Sequence, residues 1–331
     1  MSSLIKRIKL NQPQTEIITY NTHHDLSDYH VTVNKLMLST KLMKRIRSKR
    51  EPVLFFMTPT RILNAAIKSC VVSFYARRRL TVVLTMHISD VGVIPRMLMK
   101  LSNARLLVTS HEMAENYSRV FQNEIHYVKA GIESRKFVAV DSLKKAELRR
   151  KYGIAEDASV VLHVGHMKEG RNINKLLNLD EKIHVLLVAS TYELDKRDLA
   201  LREALMKKKN LTLLEDYIPN IEEIYQLADV YFFPVVDKKH CIAAPLSVFE
   251  AASCNLPIVC TAFGELKQFE GIEGFFFVDT FEPQQLNELV NKALQSNANT
   301  RVHVEQYDWD NAIQNIIEMT EVTPPKENTY E

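Results

Sequence analysis

Between residues 158 and 295, short and continuously apolar runs alternate with helix-length stretches, and few architectures accept that pattern. ASVVLHVGH (158–166), HVLLVAS (184–190), LTLLEDYI (211–218), DVYFFPV (229–235), LPIVCT (256–261) and GFFFVD (274–279) read as strands. RNINKLLNLDE (171–181), ELDKRDLALREALMKK (193–208), IEEIYQLA (221–228), PLSVFEAASC (245–254) and EPQQLNELVNKALQ (282–295) read as helices between and after them. Strands apolar along their whole length and joined by helices require a parallel sheet covered on both faces. Such sheets bind ligands beyond the carboxyl ends of their strands, here at Gly165 and after Phe233.

The first half carries a second set of such runs. TEIITYN (15–21), PVLFFMTP (52–59), LTVVLTMHI (80–88), ARLLVTS (104–110) and IHYVKAGI (125–132) read as five strands of another parallel sheet. Between the first two, Leu38, Leu42 and Ile46 stand at helical spacing among seven basic residues from Lys35 to Arg50. The charged stretch from Lys136 to Tyr152 reads as a linker region. A chain of 331 residues suits two domains: 1–140, 141–320, and a disordered tail at 321–331. Residues 1–150 hold 26 Lys and Arg against 11 Asp and Glu, and the remainder 17 against 29. Two modules of opposite charge meet different partners, the first an anionic one.

Several classes fall away. No apolar run approaches the ~20 residues of a membrane-spanning helix, and MSSLIKRIKLNQ lacks the apolar core of a secretory signal. Cys70, Cys241, Cys254 and Cys260 show no CxxC spacing and no histidine at metal-ligand distance, so they read as reduced thiols without a metal site. The expected location is cytoplasmic. The helix at 34–50 admits two readings: Leu38, Leu42 and Ile46 enter the inner face of an anionic membrane with the cations at its head groups, or they pack on the sheet. Aromatics are not interleaved with the cations, which disfavours nucleic acid.

Four segments suit a nucleotide. In GHMKEGRNI (165–173) a strand ends at Gly165, and Lys168 and Arg171 follow before a helix, a pattern that suits a diphosphate and, taken alone, equally a solvated basic loop. In AAPLSVFEAA (243–252), Pro245 suits a first helical position and leaves free amides beside it. Glu250 then lies one and a half turns into an apolar helix, where a carboxylate needs partners to offset its desolvation. Ribose hydroxyls or a structural Lys or Arg would serve equally. His87 follows a strand end, and Gly131 permits a tight turn in HYVKAGIESRKF (126–137).

In this order the segments resemble the retaining glycosyltransferases of family 4, glycosyl transferases group 1. HVGHMKEGRNINKLL is similar to the family's phosphate loop and LLEDYIPNIEEIYQLADVYFFP to its approach to the donor site. PLSVFEAASCNLPIVCT resembles its donor-helix signature, and TVVLTMH, LLVTSHEM and VKAGIESRKF resemble first-domain segments. The resemblance implies a GT-B fold, two Rossmann-like domains facing each other across a cleft. It implies that Glu250 binds the ribose, that Lys168 and Arg171 bind the diphosphate with Gly165 and His166 beside them, and that the amides of Leu246 and Ser247 assist. Tyr217 and Ile218 would lie near the base, and His87 would meet the donor sugar. The implied donor is a UDP- or GDP-linked nucleotide sugar, with no cofactor, and the acceptor a glycan, lipid or polyprenyl phosphate. The leaving phosphate would accept the acceptor's proton, so no glycosidase-like carboxylate pair is needed.

Departures from the family pattern accompany these matches. Ile242 stands where a second glutamate is usual, and Ala243, Ala244 and Pro245 where glycines are usual. The first 91 residues contain no glycine, so an acceptor-side glycine loop is missing. Asp237, Lys239 or His240 would then supply the sugar contacts. The alternative is a catalytically weakened GT-B-like binding or regulatory subunit.

Overall fold

The structure, a computed structural model, describes all residues except 1, 22–23, 58–60, 88–90, 191–194 and 322–331. It divides into two compact units, Met1–Gly131 together with the chain from Trp309 onward, and Ile132–Asp308. The boundaries read at 140 and 320 therefore move, because the last helix belongs to the first unit. The tail expected at 321–331 lies almost wholly outside the described residues.

The first unit contains α1 (Ser2–Asn11), β1 (Ile18–Tyr20), β2 (Tyr29–Val31), α2 (Thr40–Ser48), β3 (Val53–Met57), α3 (Ile62–Ala76), β4 (Leu80–Leu84), α4 (Val93–Ser102), β5 (Arg105–Val108), α5 (His111–Ser118) and β6 (Ile125–Tyr127). The second contains α6 (Ser142–Lys151), β7 (Ser159–His166), β8 (Ile183–Ser190), α7 (Lys196–Met206), β9 (Leu211–Leu214), α8 (Ile221–Leu227), β10 (Val230–Phe233), α9 (Leu246–Ser253), β11 (Ile258–Cys260), β12 (Phe275–Phe277) and α10 (Pro283–Leu294), after which α11 (Trp309–Glu321) returns to the first.

In the second unit all six strands run parallel in the order β12-β11-β10-β7-β8-β9. That is the doubly wound Rossmann order. The chain leaves β7 toward β8 and β9, then crosses back to β10 on the other side of β7, so a crevice opens where their carboxyl ends diverge. Val161, Val185, Leu187, Val230, Phe232 and Val259 form the buried strand surface against which Leu286, Val290 and Ala293 of α10 pack.

In the first unit β3-β4-β5-β6 form a four-stranded parallel sheet. Val83, Leu107 and Val128 pack with Ile316 and Met319 of α11. The run 15–21 does not join that sheet. Its three-residue β1 is only partly buried and pairs instead with β2, too short and too wet for a strand buried on both faces.

Other expectations shift for physical reasons. The helix expected at 171–181 is two short 3-10 turns, Glu169–Arg171 and Ile173–Asn178, separated by Asn172 in the left-handed conformation at φ 62°. The linker region contains α6, the first helix of the second unit, whose Arg149 is buried and paired with Asp229 at 2.6 Å. Of the basic helix, Leu42 and Ile46 are buried, and the Tyr75 hydroxyl of α3 accepts from the Ser39 amide at 3.1 Å. Leu42 and Ile46 pack on their own unit, while Leu38 precedes the helix and is exposed, so the stripe is not one continuous membrane-facing surface. Pro245 is the N-cap of α9 rather than its first residue.

Gly131 is not in the left-handed region, so no tight turn demands it. Its cause is space, because a Cβ there would fall inside the Trp309 ring. Gly131→Ala forces that ring away from its packing, an overpacking change with an expected loss of about 2 kcal/mol. Thermal or denaturant unfolding reads it, and an unchanged midpoint would contradict it.

Candidate functional site

β7 ends in His163-Val164-Gly165-His166, and the first 3-10 turn folds Arg171 back over it. A Cβ on Gly165 would lie 2.7 Å from Arg171 Nη1 and 3.0 Å from His163 Nε2. Only glycine lets the guanidinium lie against this strand end. Arg171 Nε donates to the His240 carbonyl at 3.1 Å, which fixes the plane of the fork. Lys168 is held differently: its Nζ pairs with the buried Asp198 carboxylate at 2.8 Å. Asp198 also accepts from the Glu169 amide at 2.9 Å and closes a capping box with Asp195 at the start of α7. Burial pushes the Asp198 carboxyl up, but Lys168 and these amides together hold it below its ordinary value.

Glu250 projects from the second turn of α9 and is only partly exposed. Its Oε2 accepts from the Tyr225 hydroxyl at 2.8 Å. Among the described residues no Lys, Arg or His forms an ion pair with it; Lys136, the cation that acts on it from a distance, pairs with Glu222 at 3.0 Å. Burial pushes the Glu250 carboxyl up to about 7, against the Tyr225 hydrogen bond and Lys136, with Glu133 adding repulsion. Of the two partners left open by sequence, the structural cation is not there. Burial first, and then the Glu250 charge, raise the Tyr225 phenol well above its ordinary value, so it stays a donor.

Tyr231 of β10 links the two halves of this crevice. Its ring stacks on Tyr225 with centroids 5.9 Å apart and on His163 at 6.3 Å. Its hydroxyl donates to the Val164 carbonyl at 3.1 Å and takes a hydrogen bond from Ser247, while both Glu250 and Arg171 act on it electrostatically. Gly165, His166, Arg171, Ser247 and Glu250 thus converge around the carboxyl ends of β7 and β10, with Leu246 opening the helix beside Ser247. First-turn amides of a helix lack intrahelical acceptors and favour an anion.

His163, Tyr225, Tyr231 and Asp198 are site residues that sequence reasoning missed. His163 is fully buried, and its Nδ1 meets the Phe232 carbonyl at 2.8 Å. A carbonyl only accepts, so Nδ1 carries the hydrogen and Nε2 presents a lone pair beside Gly165. Burial, with some help from Arg171, lowers this imidazole to about 4 and keeps it neutral. Burial, Arg171 and Lys168 lower His166 as well. The available signal was polar residues inside the strand run ASVVLHVGH and the aromatic run DVYFFP.

The remaining candidates stand apart. Tyr217 and Ile218 follow β9 at the edge of the sheet, and Tyr217 is 89% exposed. Asp237 bonds locally, to the Lys239 amide at 2.9 Å and His240 Nε2 at 3.4 Å. His87 lies in the first unit just past β4, its largely buried Nε2 4.0 Å from the Glu112 carboxylate in the first turn of α5.

Residues 144–311 match the family described as glycosyl transferases group 1, just over half of the chain. The chain belongs to that family. This group 1 glycosyltransferase is also similar to HepE of Anabaena, solved in complex with UDP and glucose, at 16% identity and a TM-score of 0.72 over 97% of this chain and 95% of that one. A sucrose-phosphate synthase of Thermosynechococcus elongatus gives 17% identity and a TM-score of 0.70 over 96% and 90% of the two chains. A glycosyltransferase of Rickettsia africae gives 11% and 0.73 over 96% and 93%. At such identities the likeness is one of fold, the GT-B fold. No curated protein matches this glycosyltransferase.

The Glu250 carboxyl fixes a sign for stability. Raised from 4.5 to about 7, it binds its proton more tightly in the folded chain than in the unfolded one. Stability is therefore full below the unfolded value and falls as pH rises through about 7. Glu250→Gln removes the titration but keeps an acceptor for Tyr225. It is expected to match the wild type near pH 4 and to exceed it by on the order of 2 kcal/mol at pH 8. Unfolding at both pH values reads the difference, and a variant less stable than wild type at pH 8 would contradict it.

Proposed function

We propose that this glycosyltransferase takes a sugar from a nucleotide-sugar donor, UDP- or GDP-linked, and transfers it with retention of configuration, as in family 4. The observation that carries the reading is Glu250: a half-buried carboxylate at the switch point of a Rossmann-ordered sheet, given one phenolic hydrogen bond and, among the described residues, no ion-pair partner. A vicinal diol offers two hydroxyl donors to such a carboxylate, which in its ionised form only accepts. A ribose has that diol. The similar fold of HepE, whose structure holds UDP and glucose, supports the same donor class.

The diphosphate then falls to Arg171, whose fork lies against the glycine strand end, and to the opening amides of α9 at Leu246 and Ser247. Lys168 contributes from its pair with Asp198, which fixes the ammonium while leaving it hydrogens to donate. These cations stabilise the charge that develops as the nucleoside diphosphate leaves, without a divalent ion or other cofactor. His163 and His166 stay neutral beside them and add no competing proton. Tyr217 and Ile218 are assigned to the base, and His87 is the first unit's candidate. The basic first unit favours an anionic or lipid-linked acceptor.

Ile242, Ala243 and Ala244 favour a second reading, a donor-binding subunit with weakened chemistry, since an aliphatic side chain cannot bond a sugar hydroxyl. Titration with UDP-, GDP- and ADP-sugars, followed by an assay of donor hydrolysis, separates the two. The expected result is micromolar binding of one donor, roughly tenfold or more weaker in Glu250→Ala and in Arg171→Ala, with slow hydrolysis that His87→Ala reduces. Binding without hydrolysis would favour the subunit. Absence of binding at millimolar donor would overturn both.

A further inference from the structure

The first unit presents a surface that the donor reaction does not use. Residues 35–102 contain 14 Lys and Arg and two acidic residues, Glu51 and Asp90. These residues build α2, α3 and α4, with α3 packed against both of the others. Pro95, Met99 and Ser102 of α4 are buried toward the unit. The other side carries Val93 (70% exposed), Ile94 (64%), Met97 (66%) and Leu101 (67%), a stripe at i, i+1, i+4 and i+8 that no described residue covers. Arg96 and Lys100 are exposed within the same helix, and α4 contains no carboxylate.

The neighbouring α3 exposes a further large apolar side chain. Cys70 Sγ donates to the Leu98 carbonyl at 2.7 Å and Ser73 to that of Ser102, so the two helices lie side by side over these turns. Phe74, the residue after Ser73, is 65% exposed and lies under the Arg47 guanidinium, 4.6 Å from the ring centroid. Beyond Arg47 opens a pocket of about 630 Å³ lined by Arg47, Ser48, Lys49, Arg50, Arg77 and Arg79. Lys49 is neutralised by Glu16 at 2.9 Å. Among the described residues no carboxylate forms an ion pair with Arg47, Arg50, Arg77 or Arg79, and the Nε of Arg47 is buried without a hydrogen-bond acceptor. Arg79 donates to the backbone carbonyls of Glu51 and Lys49, but these carry no net charge, and four guanidinium groups held together repel one another unless an anion joins them.

We propose that α3, α4 and this arginine pocket form one docking surface for an anionic lipid bilayer, with Val93, Ile94, Met97, Leu101 and Phe74 entering its interfacial region and the pocket holding a lipid phosphate. An apolar stripe four residues long is too small to anchor alone, and exposed cations alone bind any polyanion. Their continuity through the Arg47–Phe74 contact selects a partner that is apolar and anionic at one boundary, as a phospholipid surface is. Phosphate suits arginine in particular, through bidentate hydrogen bonding. The pocket lies at the amino ends of β3 and β4 and His87 just past the carboxyl end of β4. About 17 Å of strand separates them, so docking there is distinct from catalysis. No helix among the described residues is long and apolar enough to cross a membrane, and the surface does not require one.

Co-sedimentation of the full chain with vesicles of phosphatidylcholine, with and without phosphatidylglycerol, tests the proposal. Binding is expected to the anionic vesicles only, weakened by salt. Met97→Glu with Leu101→Glu is expected to reduce it tenfold or more at low salt. Arg47→Gln with Arg77→Gln is expected to remove the dependence on phosphatidylglycerol. Nucleotide-sugar binding, read on the same variants, stays unchanged, which shows that they fold and keeps this test separate from the donor reading. Three results would overturn the proposal: no binding to anionic vesicles at low salt, binding unaffected by the Met97 and Leu101 changes, or a wild-type dimer that those changes convert to monomer.

Discussion

The carboxylate of Glu250 sits where desolvation opposes its charge, and among the described residues the Tyr225 phenol is the one side chain that bonds it, with Lys136 acting only from a distance. Everything near it is arranged around that imbalance. Tyr225 stays protonated so that it can donate, Tyr231 stacks on Tyr225 and carries the hydrogen bond from Ser247, and the nearest acting cation, Lys136, is committed to Glu222. A buried carboxylate paired with arginine would be structural and inert. One left half-satisfied at the mouth of a parallel sheet is poised for a ligand with hydroxyl donors, and the cost to folding is the mark of that readiness.

The second pole of the crevice is cationic and differently built. Arg171 lies against Gly165 and, among the described residues, forms no ion pair with a carboxylate, whereas Lys168 is locked onto Asp198. The two cations therefore differ in role. The guanidinium is free to fork onto a phosphate, and the ammonium fixes the loop to α7 while adding charge. His163 and His166 stay neutral because burial and Arg171 lower both imidazoles, with Lys168 adding to the effect on His166. The crevice thus has a carboxylate on one side of the β7–β10 switch point and two cations on the other, the arrangement on which the proposed nucleotide-sugar reading rests.

Much of this was legible in the sequence, for physical reasons. Continuous apolar runs buried on both faces can only be parallel strands, so all six strands of the second sheet were readable. Glu250, Gly165 and Arg171 stood out because each breaks its local pattern. What escaped reading depends on contacts distant in sequence. Nothing near Lys168 announces Asp198, thirty residues on, and nothing in a buried strand histidine such as His163 tells which nitrogen faces a ligand. The helical expectation at 171–181 failed at Asn172, whose left-handed backbone is a local choice that apolar spacing does not encode. The basic helix at 34–50 was ambiguous between bilayer and core because an amphipathic stripe looks the same against either. Burial of Leu42 and Ile46 decided it, and the exposed stripe lies instead on α4.

The central claim is that Glu250 must ionise to hold the ribose. Calorimetric titration with the nucleotide sugar that binds, at pH 6.5 and in buffers of different ionisation enthalpy, counts the protons that Glu250 releases, because a diphosphate esterified at both ends has no proton of its own to lose near neutral pH, unlike the terminal phosphate of UDP. Free Glu250, pushed up to about 7, is largely protonated there. Accepting two ribose hydroxyls requires the carboxylate, so binding is expected to release roughly half a proton or more in the wild type and none in Glu250→Gln. Nucleotide-sugar binding with no proton release, or with the same release in the variant, would contradict the account.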